Sequence, residues 1–407
     1  MDELVGEVLS QVLNRSHLLR PGTTAQIIAE EGRPLGVRDA TIYLADLEQE
    51  HLRPIPRADG RLVPALRIDS TVAGRSYRAI EIRRGPTDED GSQLVWLPLM
   101  DGSERLGVLE LLVEDLSEEA LDWCRAFASL AGLLVVSKSH YSDTHAQVRR
   151  SQKMALQAEM VWAFMAPPTF ATEEVVVACA IRPIYGVGGD AYDYSLVGDH
   201  LHVSILDAVG HDLPAGLIAS VALASCRNTR RAGGELADMV AYADHAIASQ
   251  FGTSRFATAL LCDLDVGTGL FRWVPCGHPP PLLIRGNKVI KELFHRPRLP
   301  LGLVSDRDGP DLDESPPVYT EQLQPQDRLL LYTDGVVEAR AADGSQFGVR
   351  RLGDFVIRHG AAGLPAPETL RRLNRAILDF QHGRLADDAT TVLVEWRPQN
   401  LRPKYAF

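Results

Sequence analysis

The sequence predicts an α+β chain in which a strand-rich sandwich follows a smaller α/β domain. Helical and strand patterns are interspersed over the first third of the 407 residues. From residue 169 strand patterns dominate, and the helical patterns are grouped rather than alternating with them, as in α+β proteins. Several of the apolar strand patterns also lie next to an aspartate that has a glycine or a second aspartate beside it.

Composition excludes several functional classes. Hydrophobic residues make up 45% of the chain and charged residues 24%, which is ordinary for a globular protein. The net charge of −12, with no basic tract, argues against general nucleic-acid binding. None of the five cysteines forms a Cys-x-x-Cys pair, so we expect buried thiols in a reducing, cytoplasmic compartment. No signal peptide is evident and the apolar runs are short, so we expect no membrane insertion.

The first domain, residues 1–137, has a recognisable order of elements. Helices are predicted over 3–19, 24–31, 70–79 and 118–137, and strands over 40–45, 51–55, 94–100 and 106–113. The last two strands form a hairpin across Asp101-Gly102, since this dipeptide favours a tight turn.

This order resembles a GAF domain, a small α/β sensor module. The resemblance lies in the helix start Asp69–Gly74 and in the hairpin from Trp96-Leu-Pro-Leu to Gly107-Val-Leu-Glu-Leu. It implies a cavity that can hold a small-molecule ligand. The alternative is a degenerate domain that only dimerises or packs, because a fold alone does not fix a function.

Residues 138–166 predict a helical linker, in which a thin heptad pattern indicates a coiled coil and a homodimer. One seam is formed by Tyr141, Val148, Ala155 and Trp162, and the other by Thr144, Ser151, Ala158 and Met165. The alternative is an amphipathic helix that packs on the next domain. Pro167-Pro168 ends the helix.

The last domain, residues 167–407, is predicted to contain two sheets. Strands are expected over 174–181, 201–206, 256–264, 269–275, 281–284, 328–332 and 390–396. Helices are expected over 214–231, 235–250, 350–359 and 367–381, and Asp306 to Pro317 predicts an irregular loop.

Five aspartates in this domain predict a metal centre. They are Asp190, Asp207, Asp334 and the pair Asp387 and Asp388. One aspartate in a turn is usually a cap, but several at strand ends are hard to explain in this way. Carboxylates brought together repel one another, whereas two hard divalent cations would neutralise them. Such ions lower the pKa of a bound water, which favours hydrolysis of a phosphate ester.

Residues 152–396 resemble the SpoIIE-like branch of the metal-dependent protein phosphatases, the PPM family. The matching motifs occur in the family's order. They are Gly188-Gly-Asp-Ala-Tyr-Asp193, Asp207-Ala-Val-Gly-His-Asp-Leu-Pro-Ala215, Arg255-Phe-Ala-Thr-Ala-Leu260, Cys276-Gly-His-Pro-Pro-Pro-Leu-Leu283, Leu299-Pro-Leu-Gly302, Leu329–Ala339, Phe347-Gly348 and Asp387-Asp-Ala-Thr. The resemblance implies a β-sandwich flanked by helices, two Mn²⁺ or Mg²⁺ ions, and hydrolysis of phosphoserine or phosphothreonine on a protein.

The resemblance also implies roles for individual residues. Asp207 would bridge the two ions, with the Ala208 carbonyl as a backbone ligand, and Asp190 would serve one ion mostly through water. Asp334 and Asp387 would hold the second ion. Asp388 falls where the family varies, so it is either a ligand or a residue that supports the ligands.

The residues after Asp207 raise separate questions. His211 is a candidate general acid for the leaving serine oxygen, and the alternative is a structural histidine. Asp212 stands where the family has glycine, which puts the backbone in doubt if a positive φ is needed there. Arg255 is a weak candidate for phosphate binding, and for His278 a structural role is favoured over a catalytic one.

These expectations combine into a bacterial signalling phosphatase under the control of the first domain. Relatives imply a phosphorylated anti-sigma-factor antagonist of the STAS type as the substrate and partner. The alternative is a pseudophosphatase that captures a phosphoprotein without turnover. A further alternative is a catalytic domain that stays idle until the first domain binds its ligand.

Overall fold

The computed structural model describes residues 2–398 except 58, 89, 253, 287, 297, 304–315, 384 and 386. Most of the predicted loop from Asp306 to Pro317 lies outside these described residues. The chain divides into two compact units, Met1–Lys153 and Met154–Phe407.

The first unit contains five α-helices and six strands in its described part. In chain order they are α1 (Asp2–Ser16), α2 (Thr24–Glu31), β1 (Val37–Ala45), β2 (His51–Pro54), β3 (Leu66–Arg67), α3 (Val72–Ala79), β4 (Arg83–Thr87), β5 (Gln93–Asp101), β6 (Glu104–Val113), α4 (Glu118–Ser139) and α5 (Thr144–Arg149). The predicted hairpin is confirmed as β5 and β6, whose register closes at Asp101 and Glu104.

The strands of this unit form one antiparallel sheet in the order β3-β2-β1-β6-β5-β4. The larger core lies between the sheet and helices α1, α2 and α4, where Ile28, Leu109 and Phe127 are buried together. A smaller core around Tyr77 and Trp96 packs α3 against the sheet.

Helix α4 is the one described helix that is long and apolar enough to cross a membrane, judged by length and composition alone. In this structure 56% of its most apolar stretch is buried. Trp123, Cys124 and Phe127 supply much of that burial, and they belong to the larger core of the first unit.

The predicted continuous helix over 138–166 is wrong, because the structure contains separate short helices there. Helix α5 ends at Arg149, and α6 spans Leu156–Phe164. Each helix is fixed by its own unit: the Arg149 carbonyl accepts from the Leu47 N–H (2.9 Å), whereas the Ala155 N–H donates to the Tyr185 carbonyl (2.8 Å). These tertiary contacts outweigh the weak heptad pattern.

The second unit contains six helices and eleven strands in its described part. They are α6 (Leu156–Phe164), β7 (Thr169–Ala171), β8 (Val175–Arg182), β9 (Asp190–Val197), β10 (His200–Ala208), α7 (Leu213–Arg231), α8 (Leu236–Phe251), β11 (Ala257–Asp265), β12 (Leu270–Cys276), β13 (Leu282–Arg285), β14 (Lys288–Glu292), β15 (Tyr319–Gln322), β16 (Arg328–Tyr332), α9 (Asp334–Val337), α10 (Gly348–Ala361), α11 (Ala366–Phe380) and β17 (Ala389–Trp396).

These strands form two antiparallel sheets, which confirms the predicted α+β sandwich. One has the order β15-β12-β11-β10-β9 and the other β14-β13-β16-β17-β8-β7. The core between them contains Val203 and Trp273 from the first sheet and Val177 and Leu331 from the second. All seven predicted strands and four predicted helices of this unit are present. Strands β7, β9, β14 and β15 and helix α9 were not predicted.

Helices cover the outer face of each sheet. Helices α7 and α8 pack on the first sheet through a core that includes Ile218, Val240 and Leu261. Helices α10 and α11 pack on the second sheet around Leu330 and Val356. The resulting order of layers is helix, sheet, sheet, helix, which leaves the strand ends as the place where loops from both sheets meet.

Candidate metal centre

Asp190 and Asp207 lie side by side on neighbouring strands. Asp190 is the first residue of β9 and Asp207 the last but one of β10, and the antiparallel register pairs them directly. Asp190 thus begins a strand, β9, that the sequence pattern did not predict. Asp190 is buried, with 1% of its surface exposed, and Asp207 is half-buried.

Asp388 holds the segment before β9 in place. Its Oδ2 accepts hydrogen bonds from three consecutive backbone N–H groups, those of Gly188 (2.8 Å), Gly189 (2.9 Å) and Asp190 (3.4 Å). An oxygen that accepts three N–H groups fixes the backbone around it. This contact favours the supporting role that the sequence left open for Asp388.

Two threonines connect the sheets at this end, and sequence reasoning missed both. The Thr333 hydroxyl donates to Asp190 Oδ2 (2.8 Å), and the Thr390 N–H donates to the Thr333 hydroxyl (2.9 Å). Thr333 directly precedes Asp334, and Thr390 lies two residues after Asp388. Threonines adjacent to the acidic motifs were the signal that could have identified them.

Asp334 and Asp387 are the exposed members of the group. Asp334 is the first residue of α9 and directly follows Thr333, the residue after β16; Asp387 lies just before β17. Gly335 allows these segments to approach closely, since a Cβ at this position would lie 1.9 Å from the Asp388 carbonyl oxygen.

The carboxyl groups act on one another electrostatically. Burial and the charges of Asp207 and Asp388 raise the pKa of Asp190 well above its usual range. Burial, followed by the charges of Asp334, Asp387 and Asp388, raises the pKa of Asp207 to about 7. Burial and the Asp387 charge also raise the pKa of Asp334. The protein therefore brings these acids together at an electrostatic cost that a bound cation would relieve.

The Ala208 carbonyl faces residues 188–190. The Ala208 N–H donates to the Gly189 carbonyl (3.1 Å), and the N–H and carbonyl of one residue in an antiparallel strand point to the same neighbouring strand. The Gly189 N–H, which would otherwise pair with this oxygen, donates to Asp388 instead (2.9 Å). The oxygen expected to be a backbone ligand is therefore not taken up by this neighbour.

The turn after β10 resolves the question about Asp212. Asp212 has φ −96° and ψ 179°, an extended conformation that any residue adopts. The left-handed position is Gly210, at φ 92°. Asp212 caps α7 by accepting a hydrogen bond at Oδ1 from the Ala215 N–H (3.1 Å). The concern that aspartate disturbs this backbone was therefore wrong.

Histidine residues near the centre differ in their surroundings. His211 is exposed on the turn, and its carbonyl accepts from the Gln157 side chain (3.4 Å). His278 is buried, its Nδ1 lies 2.9 Å from the Thr258 hydroxyl, and burial lowers its pKa to about 3. Thr258 is the register partner of Asp207. These surroundings favour the structural role for His278, which is neutral, and leave the His211 side chain exposed to solvent.

The donor set fits hard divalent cations, because it consists of carboxylate and carbonyl oxygens. Across the part of the chain that the structure describes, no three His, Cys, Asp or Glu side chains are already grouped as a metal site. Within the centre, Asp190 and Asp207 are directly paired in the sheet, and the charges of Asp334, Asp387 and Asp388 act on Asp207 without a tighter grouping.

A cavity of about 340 Å³ lies elsewhere in the second unit, lined by His200, His202, Arg230 and Asp263 among others. Asp263 accepts from Arg272 Nε (3.0 Å), and His200 Nδ1 lies 3.3 Å from it. None of the predicted site residues contributes to its lining.

One family model matches a large part of the second unit. Residues 198–397 match the stage II sporulation protein E family, SpoIIE. The match includes Asp207, Asp334, Asp387 and Asp388, and it begins shortly after Asp190.

Individual relatives are more distant. The chain is 27% identical over 161 residues to the phosphoserine phosphatase RsbP of Bacillus subtilis, which covers 38% of each protein. It is 22% identical over 213 residues to the phosphoserine phosphatase RsbU of the same organism, covering 52% of this chain and 60% of RsbU. The chain thus spans less than two thirds of either relative.

Among solved structures, the RsbU and RsbW domains of Rv1364c from Mycobacterium tuberculosis align with a TM-score of 0.45. This alignment has 24% identity and covers 55% of this chain and 62% of that one.

Proposed function

We propose, from the SpoIIE-family domain that residues 198–397 form, that this chain is a metal-dependent protein-serine/threonine phosphatase. The observation that carries the proposal is the convergence of acidic residues from both sheets of the sandwich at one end. Asp190 and Asp207 come from the first sheet, and Asp334, Asp387 and Asp388 come from segments next to strands of the second.

Two Mn²⁺ or Mg²⁺ ions would be held by Asp190, Asp207, Asp334 and Asp387 together with the Ala208 carbonyl. When bound, such ions supply Lewis acidity and a water of lowered pKa. Asp207 is the best candidate for a ligand shared by both ions, because the charges of three other aspartates act on its carboxyl group.

The remaining residues position this set or handle protons. Asp388 fixes the backbone of residues 188–190, and Thr333 orients the Asp190 carboxylate. His211, exposed on the turn four residues after Asp207, would give a proton to the leaving serine or threonine oxygen. His278 remains neutral and keeps Thr258 in place beside Asp207.

We further propose that the substrate is a small phosphorylated regulatory protein of the STAS type, an anti-sigma-factor antagonist. Support comes from the RsbP and RsbU similarity, since both are phosphoserine phosphatases. Incubation with phosphorylated STAS proteins, followed by loss of phosphate on a Phos-tag gel, tests this step separately from hydrolysis of small phosphate esters.

We assign control of the activity to residues 1–137, as a GAF-like sensor that binds a small molecule and forms a homodimer. The six-stranded sheet with helices on both faces is compatible with such a module. Exposed apolar side chains at Leu133 and Tyr141 favour self-association. Light scattering tests the dimer, and equal rates for the full chain and residues 154–407 with every added ligand would contradict sensing.

We place the protein in the cytoplasm. All five cysteines are free and buried, as expected where thiols stay reduced. Separation of cell extracts into soluble and membrane fractions tests this assignment.

Asp207→Asn tests the proposed activity directly. With Mn²⁺ and p-nitrophenyl phosphate, we expect turnover by the wild type and a loss of about a hundredfold or more in the variant, by analogy with removal of one charge-stabilising group. Asp343→Asn, on an exposed loop, serves as the control. Activity that survives Asp207→Asn would contradict the metal-centre mechanism, and an inactive wild type that still binds a phosphoprotein would favour a pseudophosphatase.

A further inference from the structure

Arg255 lies directly beside the turn that follows Asp207. The register of β10 and β11 pairs Ala208 with Ala257, and the Val209 N–H donates to the Phe256 carbonyl (3.0 Å). Continuing this register by one residue sets Arg255 opposite Gly210. A Cβ on Gly210 would lie 3.6 Å from Arg255 Nη1, so the guanidinium is against this turn.

Asp212 connects this arginine to helix α7. Its Oδ1 caps the helix at Ala215, while its Oδ2 lies 3.5 Å from Arg255 Nη2. One carboxylate therefore fixes both the start of α7 and the direction of the guanidinium. Asp212 is also the position at which this chain departs from the glycine of the SpoIIE-like motif.

The pair contributes little to the stability of the fold. The Arg255 side chain is 34% exposed and that of Asp212 is 50% exposed. Ion pairs in such positions are screened by water and are weak stabilising elements. A role in the site explains the arrangement better than a role in folding.

The negative charge of the acidic centre explains why an arginine would be needed beside it. Two divalent cations would balance only four of the five carboxylate charges of Asp190, Asp207, Asp334, Asp387 and Asp388, so the loaded centre has no excess positive charge for a phosphate dianion. A guanidinium carries five N–H donors in a planar fork that matches phosphate oxygens. The contact with Asp212 occupies one edge of Arg255 and leaves donors for a ligand at the exposed side.

We propose that Arg255 binds the phosphoryl group of the substrate and that Asp212 is the positioning residue that holds its guanidinium toward the acidic centre. The proposal rests on the proposed phosphatase function. It assigns to this chain a phosphate-binding pair formed by Asp212, the residue after His211, and Arg255, two residues before β11.

The first test compares Arg255→Ala and Arg255→Lys with wild type, all loaded with Mn²⁺. Because the contact is made to bound substrate as well as to the transition state, we expect Arg255→Ala to raise KM for p-nitrophenyl phosphate about tenfold, with kcat changed less than about twofold. The inhibition constant of inorganic phosphate should rise by a similar factor. Arg255→Lys should recover part of the loss, since lysine retains the charge but not the fork.

Arg231→Ala is the matched control. Arg231 is exposed in the last turn of α7, at the opposite end of that helix, and its removal changes the net charge equally. KM and phosphate inhibition should be the same as in the wild type. Calorimetric titration of inorganic phosphate into the Mn²⁺-loaded proteins gives the same comparison without turnover.

The second test places Asp212→Asn in the wild-type and Arg255→Ala backgrounds. Asparagine still caps α7, so the thermal midpoint should stay unchanged, while the ion pair is lost. If Asp212 acts through Arg255, the substitution raises KM in the wild type and leaves KM unchanged in Arg255→Ala. An equal effect in both backgrounds would show that Asp212 acts independently.

The outcomes separate this inference from the proposed function. A wild type without turnover at any Mn²⁺ concentration contradicts the phosphatase itself. An active wild type whose KM and phosphate inhibition are unaffected by Arg255→Ala overturns the phosphate-binding pair and leaves the phosphatase standing.

Discussion

The Asp388 carboxylate joins the two sheets through a single oxygen. Asp388 lies just before β17 of one sheet, and this oxygen accepts hydrogen bonds from the backbone N–H groups of residues 188–190, at the start of β9 of the other. Its neighbour Asp387 is exposed, so two adjacent aspartates have different surroundings. The sequence could identify the pair as acidic and close to a strand, but not which member points inward. That distinction depends on the register of β17 against β8, a contact between residues far apart in the chain.

We expect Asp388→Ala to destabilise the second unit by about 2 kcal/mol, because three backbone N–H groups lose their charged acceptor. Urea denaturation of the metal-free protein at pH 6 measures the free energy of unfolding. Asp343→Ala, which removes an exposed loop carboxylate, should change it by less than about 0.5 kcal/mol. Equal stability of Asp388→Ala and the wild type would contradict the supporting role of this residue.

The raised pKa values predict how pH affects the metal-free protein. For Asp190 and Asp207 the folded pKa lies above the unfolded value, so the folded state binds more protons as these groups titrate. Their stabilising effect is complete below the unfolded pKa, about 4. It is lost as pH rises through the folded pKa of Asp207, about 7. We therefore expect a higher thermal midpoint at pH 5 than at pH 8 after EDTA treatment.

Two comparisons isolate this effect from other titrations. Asp207→Asn should show a smaller fall in the midpoint between pH 5 and pH 8 than the wild type. Mn²⁺ added at pH 8 should restore the midpoint of the wild type and have less effect on the variant. A midpoint that rises with pH in the metal-free wild type would contradict the assignment.

Helix α7 is anchored at both ends. Asp212 caps its start, and near its end Arg227 and Arg230 contact Asp193 of β9 at 2.6 and 3.2 Å. Asp193 binds α7 and not the loop of Asp190, because residues 190 and 193 face opposite sides of the strand. The helix that follows the Asp207 turn is thereby held against the sheet.

Asp193→Ala should destabilise the second unit by about 3 kcal/mol, since it leaves two poorly exposed arginines without their carboxylate. Asp122→Ala, which breaks the exposed pair with Arg125 on α4, should cost less than about 0.5 kcal/mol. Chemical denaturation followed by circular dichroism measures both. A cost for Asp193→Ala no greater than that for Asp122→Ala would show that this buried contact does not anchor the helix.

Elements with strong local patterns could be predicted, and those that depend on partners could not. Helices α7 and α8 and strands β10, β11 and β17 follow apolar periodicity. Strand β9 was missed because its Asp190-Ala-Tyr-Asp-Tyr-Ser pattern contains charged and small residues, and only pairing with β10 makes it a strand. The prediction of a single linker helix was wrong for the converse reason. The segment has helical propensity, but hydrogen bonds with each unit break it into the separate helices α5 and α6.

At the scale of the whole chain, the two units have separate cores. The larger core of the first unit is built from α1, α2, α4 and its sheet, and the cores of the second from two sheets and their own helices. The boundary at Lys153 and Met154 falls inside the predicted linker, 138–166. A sequence pattern could place the linker there. The boundary itself depends on which unit each of the short helices α5 and α6 packs against, and that is a matter of tertiary contacts.

We expect residues 154–407 to fold alone and to hydrolyse p-nitrophenyl phosphate with Mn²⁺, because this fragment contains the sandwich and every acidic residue of the centre. A cooperative thermal transition and a measurable rate are the expected results. The same fragment with Asp207→Asn should fold but show no turnover. An aggregated or unfolded fragment would contradict the independence of the second unit.

The bond between the Gly188 N–H and Asp388 joins residues 200 positions apart. A growing polypeptide therefore carries Asp190 and Asp207 long before the residue that fixes their loop has been synthesised. Since strand β17 must insert between β16 and β8, the sheet is also incomplete until β17 has been synthesised. The candidate metal centre is therefore completed only after residues 388–396 have been made, so chains that stop before them lack it even though they contain its first motifs.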